Sequence, residues 1–471
     1  MSDTKTEGQK LKEKLLMNDK NGWDETPEKD RKQIDYFCEG YIDFLNKGKT
    51  ERECVKEAKI IAEKNGFKPL EKFKKLKAGD RIYTINREKN IVLAVIGSEP
   101  IESGLNVVGS HIDSPRLDLK PNPLYEDSGF VYFKTHYYGG IKKYQWVTMP
   151  LAIHGVVALK DGSKVEINIG EEDDDLTFVI TDLLPHMARK QMEKKLSEGI
   201  EGEDLNVLLG SIPYGDEKVS DKVKLNIMKI LNEKYGIVEK DFISAEIEIV
   251  PAFRAKSLGL DKSMIGGYGQ DDRVCAYTSL KAICEVVRPK KTAICILVDK
   301  EEIGSVGNTG MEARAFENFV GELLVLNGED KNPNIMARVL QNSRMLSADV
   351  DGAFDPIYAS VAEKRNASFF GMGVGLNKYT GARGKSGAND ANAEYVAELR
   401  KLFDDNRVRF QISELGKVDE GGGGTIAYIL ANKGMDVIDC GTPVLSMHSP
   451  YEVTSKFDIY TACRGYTAFL K

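Results

Sequence analysis

The sequence predicts an α/β protein with a mostly parallel central sheet, interrupted by a β-rich insertion. Two textures carry that prediction. From about residue 256 onward, short continuous apolar runs alternate with segments whose apolar residues recur at helical spacing. This is the pattern of parallel strands covered on both faces. Between about 115 and 255 the runs alternate apolar with polar residues, as half-exposed antiparallel strands do.

Taken in order, residues 1–75 are charged and helical in pattern. CEGYIDFLNKG and ECVKEAKIIAEKNGF each carry a glycine placed to end a helix. The runs DRIYTI, NIVLAVIG and LNVVGSHID read as strands, the last with polar residues at its C-terminal end. In the middle, FVYFKTHYY, KVEINIG and AEIEIV read as strands. VKLNIMKILNEKYG reads as an amphipathic helix ending at Gly236, and EEDDD as a solvated turn. After 256, TAICILVD, ELLVLNG and DVIDCGTPVLSMH read as strands, RVCAYTSLKAICEVV and NAEYVAELRKLF as helices. Residues 1–114 and 256–471 thus form one α/β domain around an inserted 115–255. GMGVG lacks the third glycine of a dinucleotide-binding loop at its proper spacing.

The totals bound the function. With 471 residues, 41 % hydrophobic and 30 % charged, the chain is an ordinary soluble one with room for two or three domains. A net charge of −7 argues against nucleic-acid and anionic-membrane partners. No apolar run approaches the roughly 18 residues that a membrane helix needs. The opening MSDTKTEGQKLKEK has no apolar stretch, so no secretory signal is expected. Seven scattered cysteines without a C-x-x-C pair suggest reduced, buried thiols in a cytoplasm, not a disulfide framework or a cysteine zinc site.

In open α/β sheets ligands bind beyond the carboxyl ends of strands. His111 and Asp113 follow LNVVGS, and Glu301 and Glu302 follow TAICILVDK. Asp349 lies in SADVDGAF, His448 follows TPVLSM, and Asp271 and Asp272 precede the helix RVCAYTSL. Each has a plainer reading alone: a helix cap for Asp271, a solvated loop for the glutamates, a satisfied loop histidine for His448. Their coincidence at five separate segments points to a site. Imidazole and carboxylate donors without thiolates suit zinc, cobalt or manganese, and there are enough of them for two ions. Two-metal sites favour hydrolysis. Of the adjacent glutamates only one need bind metal: Glu302 ligates and Glu301 acts as general base. Asp113, two residues beyond His111, can hold its other ring nitrogen. A glycosidase reading of the glutamates leaves both histidines without a role.

The set GSHIDSPRLDLKP, YGQDDR, DKEEIGSVGNTG, SADVDGAFDP and LSMHSPYEV closely resembles the M18 family of metallo-aminopeptidases, in order and spacing, through nearly the whole chain. The resemblance implies a zinc-exopeptidase-like three-layer sandwich with a β-rich dimerisation domain inserted at 115–255. It implies two divalent ions per subunit, zinc with cobalt or manganese as alternatives. His111 and Asp349 would serve one ion, Glu302 and His448 the other, and Asp271 would bridge them. Glu301 would be the base and Asp113 the residue that orients His111. The activity implied is release of the N-terminal residue from peptides, in a dodecamer built from dimers around an inner chamber. His186, in ITDLLPHMARK, would reach the neighbouring subunit's site. The chain departs from the aspartyl members at YTGARGKSGANDANAE and KVDEGGGGTIAY, near the substrate pocket in the family. An acidic first residue needs a cation, for which Arg383, Lys385 and Lys378 are candidates; otherwise a neutral or hydrophobic preference is expected. The competing readings are a same-clan deacylase or endo-hydrolase, and an assembly-forming scaffold with an idle site.

Overall fold

The segments Asn90–Val95, Leu105–His111 and Thr292–Val298 are buried at every position. In the computed structural model, which describes residues 5–17, 20–171 and 176–471, they lie side by side in a nine-stranded sheet. Its centre is parallel: Thr292–Val298, Leu105–His111, Arg344–Ser347 and Asp436–Gly441 run the same way. The next strands outward, Asn90–Val95 and Val374–Asn377, are antiparallel to it. The sheet is therefore parallel where the polar strand ends gather and mixed towards its edges.

Strand periodicity sends successive side chains to opposite faces. Ala293, Cys295 and Leu297 enter one core with helices Glu28–Lys47, Glu51–Lys64, Gln270–Glu285 and Lys456–Leu470. Ile294, Ile296 and Val298 enter a second core with helix Ala315–Asn327. Each fully buried Leu or Ile contributes roughly 1.5–3 kcal/mol, so both faces anchor the strands that end at the site. All seven cysteines are buried and free.

The expected strand ELLVLNG is instead the end of helix Ala315–Asn327. The apolar run hid a longer helical period: Phe316, Phe319, Val320, Leu323 and Leu324 are buried at i, i+3, i+4, i+7 and i+8, and Gly328 ends the helix at φ 75°. The strand Arg344–Ser347 leaves no signal in the sequence, its four residues being too few to show a pattern.

A second, antiparallel sheet of six strands draws only on residues between Arg116 and Pro251. It has its own core, including the fully buried Trp146. Helix Lys222–Tyr235 belongs to this region and ends at Gly236 with φ 73°. The acidic run at 171–175 falls mostly outside the described residues. A third, small sheet joins Lys256–Leu258, Met264–Gly267, Glu452–Ser455, Pro443–Leu445 and Asp351–Gly352. It leads the chain into Asp271 on one side and flanks His448 on the other.

Candidate metal centre

Three parallel strands deliver the first residues. Val298 pairs with His111 across the ladder, and Ser347 with Gly109, so these strands end abreast. Beyond Val298 the chain turns through Lys300 at φ 69° into the short helical turn Glu301–Ile303, which Gly304 ends at φ 95°. In that turn the adjacent glutamates no longer point apart. Glu301 Oε2 lies 4.0 Å from His111 Nε2, and Glu302 Oε2 lies 3.5 Å from His448 Nε2.

Asp271 sits inside the first turn of Gln270–Glu285, but with non-helical backbone angles, φ −80° and ψ 109°. It is not a helix cap. Its Oδ1 is 3.1 Å from His111 Nε2 and its Oδ2 is 3.1 Å from His448 Nε2. Asp349 Oδ1 lies 3.7 Å from His111 Nε2. Asp271 and Asp349 thus both approach His111 Nε2, while Asp271, Glu302 and His448 cluster within ligand range of one another.

Supporting residues hold this arrangement; of these, Tyr138 and Glu452 were not singled out by the sequence. The Asp113 carboxylate accepts from the backbone N–H of Glu301 at 3.2 Å and of Glu302 at 3.1 Å, and from the Tyr138 hydroxyl at 2.8 Å. It also meets His111 Nδ1 at 3.2 Å. Glu452 accepts from the backbone N–H of His448 at 2.8 Å and of Asp271 at 3.1 Å. The only sequence signal for Glu452 is its place four residues after His448. Asp272 accepts from the backbone N–H of His111 at 3.2 Å, and a carboxylate oxygen of Asp272 comes within ligand range of His111 and Asp349.

The donor set fits divalent metal. His448 Nδ1 lies 2.9 Å from the Gly140 carbonyl. A carbonyl only accepts, so Nδ1 carries the hydrogen, and in the neutral ring Nε2 faces two carboxylates with a lone pair. Facing lone pairs need a cation or a proton between them. Glu302 Oε1 and Asp272 Oδ1 are buried without a hydrogen-bond partner. Among the described residues, Asp271, Glu301, Glu302 and Asp349 form ion pairs only with His111 and His448. Burial and the neighbouring Asp349 raise the Glu301 carboxyl to about 8. Burial and Asp271 likewise raise Glu302. Burial opposes the charged form of His448, but the hydrogen bond to Asp271 prevails and lifts it to about 10. A bound cation reverses such shifts, and nitrogen and oxygen donors without sulfur suit zinc, cobalt or manganese.

A cavity of about 500 Å³ opens over the centre. Asp271, Glu301, Glu302, Asp349 and His448 line it, together with Asp351, Asn377, Leu415, Tyr428, Met447 and the backbone of Gly422–Gly424. Arg383 and Lys385 are not among the lining residues. Lys385 pairs with Asp390 at 3.0 Å and stacks 3.9 Å over the Tyr379 ring. Lys378 stands 3.8 Å from the same Asp390. His186 is exposed on the turn Pro185–Met187. The structure therefore gathers His111, Asp113, Asp271, Glu301, Glu302, Asp349 and His448, and leaves His186, Arg383 and Lys385 outside the cavity.

The family model for aminopeptidase I zinc metalloproteases, M18, matches residues 44–470. The chain belongs to the M18 family. As an M18 aminopeptidase it is a metallopeptidase acting on N-terminal residues. A probable M18 family aminopeptidase 1 of Clostridium acetobutylicum is 55 % identical over 460 residues, covering 97 % of this chain and 99 % of that one. The crystal structure of an M18 aminopeptidase from Thermotoga maritima superimposes with a TM-score of 0.93 at 47 % identity, over 97 % of this chain and all of that one. At 22 % identity the M18 fold extends to the yeast mApe1 dodecamer, TM-score 0.73, over 93 % of this chain and 97 % of that one. Among the described residues no helix is long and apolar enough to cross a membrane.

Proposed function

We propose that the chain is a dinuclear aminopeptidase that removes an uncharged N-terminal residue from peptides. One observation carries the reading: the two oxygens of Asp271 each lie 3.1 Å from the Nε2 of a different histidine. His111 and Asp349 would hold one ion together with Asp271, and His448 and Glu302 would hold the other. Zinc is the first candidate, given the zinc metalloprotease family; cobalt and manganese accept the same donors. When bound, the ions supply Lewis acidity that polarises the peptide carbonyl and eases ionisation of water.

The chain's own residues do the rest. Glu301 takes a proton from the attacking water and hands it to the leaving amine as the C–N bond breaks. Asp113 holds His111 and the Glu301–Glu302 backbone in place. Membership of an aminopeptidase family favours an exopeptidase over an endo-hydrolase or deacylase. Among the described residues the lining has no Lys or Arg, while Leu415, Tyr428 and Met447 offer apolar surface. This supports a neutral first residue over the acidic one that Arg383 and Lys385 suggested.

At the level of assembly, the likeness to the yeast dodecamer supports a homo-oligomer, for which the family resemblance implies a dodecamer built from dimers. In it residues 1–114 and 256–471 form the catalytic sandwich and 115–255 the dimerisation unit. His186, exposed on that unit, is the residue offered to a neighbouring site. Net charge −7 and buried reduced thiols fit a cytoplasmic enzyme without nucleic-acid or membrane partners. The test is a peptide panel with Asp, Glu, Leu, Lys or Ala first, free and N-acetylated, assayed with zinc, cobalt or manganese. Cleavage of free leucyl peptides and not acetylated ones is expected. Cleavage of acetylated peptides, or silence throughout, would overturn the reading in favour of the deacylase or the idle scaffold.

A further inference from the structure

Strand Phe130–Tyr138 belongs to the antiparallel sheet, yet the turn that leaves it reaches the metal centre of the parallel one. Three successive residues make the approach. The Tyr138 hydroxyl donates to Asp113 at 2.8 Å. The Gly140 carbonyl accepts from His448 Nδ1 at 2.9 Å. Gly139, between them, has φ 74°, and a Cβ there would stand 3.3 Å from Glu302 Cβ and 3.4 Å from Glu302 Oε2. Only glycine allows this approach without crowding the ligand.

The turn is itself held at the junction of the two sheets. The Arg116 guanidinium lies 3.9 Å over the Tyr138 ring. Arg116 pairs with Asp118 at 2.8 Å and Glu248 at 3.2 Å in the antiparallel sheet, and approaches Glu51 at 3.6 Å, at the start of helix Glu51–Lys64.

We propose that the Tyr138–Gly140 turn is a positioning element for both halves of the metal centre, so that the inserted sheet sets the geometry of the catalytic one. The proposal rests on the dinuclear reading. Tyr138 acts through Asp113, which holds His111 and the N–H groups of Glu301 and Glu302. Gly140 acts through His448, by keeping the hydrogen on Nδ1 and the lone pair on Nε2. Outer partners of this kind typically tune metal affinity or activity by about 10–100-fold. Because one turn serves both halves, a shift of the inserted sheet against the central one disturbs both ions together.

The test compares Tyr138→Phe with Tyr132→Phe, a tyrosine of the same strand that stacks on Tyr125, ring centroids 5.4 Å apart. Zinc affinity is measured by chelator competition, kcat and KM on a cleaved peptide, and the melting temperature on metal-free protein. Tyr138→Phe is expected to weaken zinc and lower kcat by about tenfold or more with KM unchanged, while the metal-free melting temperature falls only as far as one lost hydrogen bond allows. Tyr132→Phe should match wild type. Gly139→Ala is the second variant, expected to weaken zinc by crowding Glu302. Zinc affinity and kcat within about twofold of wild type for Tyr138→Phe, or an equal loss in Tyr132→Phe, overturns the proposal. A wild type that binds a single ion defeats the dinuclear reading instead, and the affinity ratio still decides whether the turn positions the ligands.

Discussion

Replacing Asp113 with Asn keeps the shape of the side chain and removes one acceptor. The carboxylate meets four groups: Tyr138 Oη and the Glu302 N–H at one oxygen, the Glu301 N–H and His111 Nδ1 at the other. Asparagine must turn an NH2 towards one pair. The Tyr138 hydroxyl can rotate to accept, but a backbone N–H cannot. Either orientation strands one backbone N–H of the glutamate turn, at a cost of about 1–3 kcal/mol. At about 1.4 kcal/mol per tenfold, a mid-range 2 kcal/mol is roughly thirtyfold. That agrees with the ~10–100-fold typical of lost outer partners of metal ligands. Asp113→Asn should therefore fold, bind zinc about thirtyfold more weakly in chelator competition, and lose kcat by a similar factor. Zinc affinity and kcat both within about threefold of wild type would refute the role given to Asp113.

Glu301→Gln should keep its metals and lose about 10²–10⁴ in kcat, since it removes the base but no ligand; near wild-type turnover would reassign the base. Stripping metal should destabilise the protein more as pH rises. The metal-free Glu301 carboxyl stands near 8 instead of 4.5, so its protonated form stabilises the fold fully below about 4.5 and that contribution is lost as pH rises through 8. The gap in melting temperature between zinc-loaded and metal-free protein should thus widen from about pH 5 to pH 8, and a narrowing gap would contradict the shift. In helix Ala315–Asn327, Leu323 is fully buried and Val325 is 55 % exposed. Leu323→Ala should cost about 2–5 kcal/mol in chemical denaturation and Val325→Ala under about 0.5 kcal/mol. Equal costs would restore the strand.

The fold was legible where burial is periodic over many residues. Ala293–Val298 is a continuous apolar run because it meets a core on both faces, and that signal survives in one sequence. ELLVLNG misled because a local apolar run is compatible with either period, and Phe316 and Phe319, which settle the matter, lie upstream. The small third sheet was not legible as a sheet because its strands run only two to four residues; Pro443–Leu445 shows only as the end of the run DVIDCGTPVLSMH. The residues now gathered at the centre showed themselves as polar groups ending apolar segments. Their supports did not: Glu452 and Tyr138 act through contacts between segments far apart in the chain, with Asp271 and Asp113 respectively. Lys385 stood out in sequence as a candidate cation for an acidic substrate because nothing there reveals that Asp390 and Tyr379 engage it.

The central claim is that Asp271 joins two ions. Anomalous diffraction at the zinc edge from zinc-loaded crystals tests it most directly. The account predicts two peaks per chain about 3.5–4 Å apart, one beside His111 and Asp349, the other beside His448 and Glu302, with one oxygen of Asp271 on each. A single peak at saturating zinc, or two peaks of which only one touches Asp271, would contradict it.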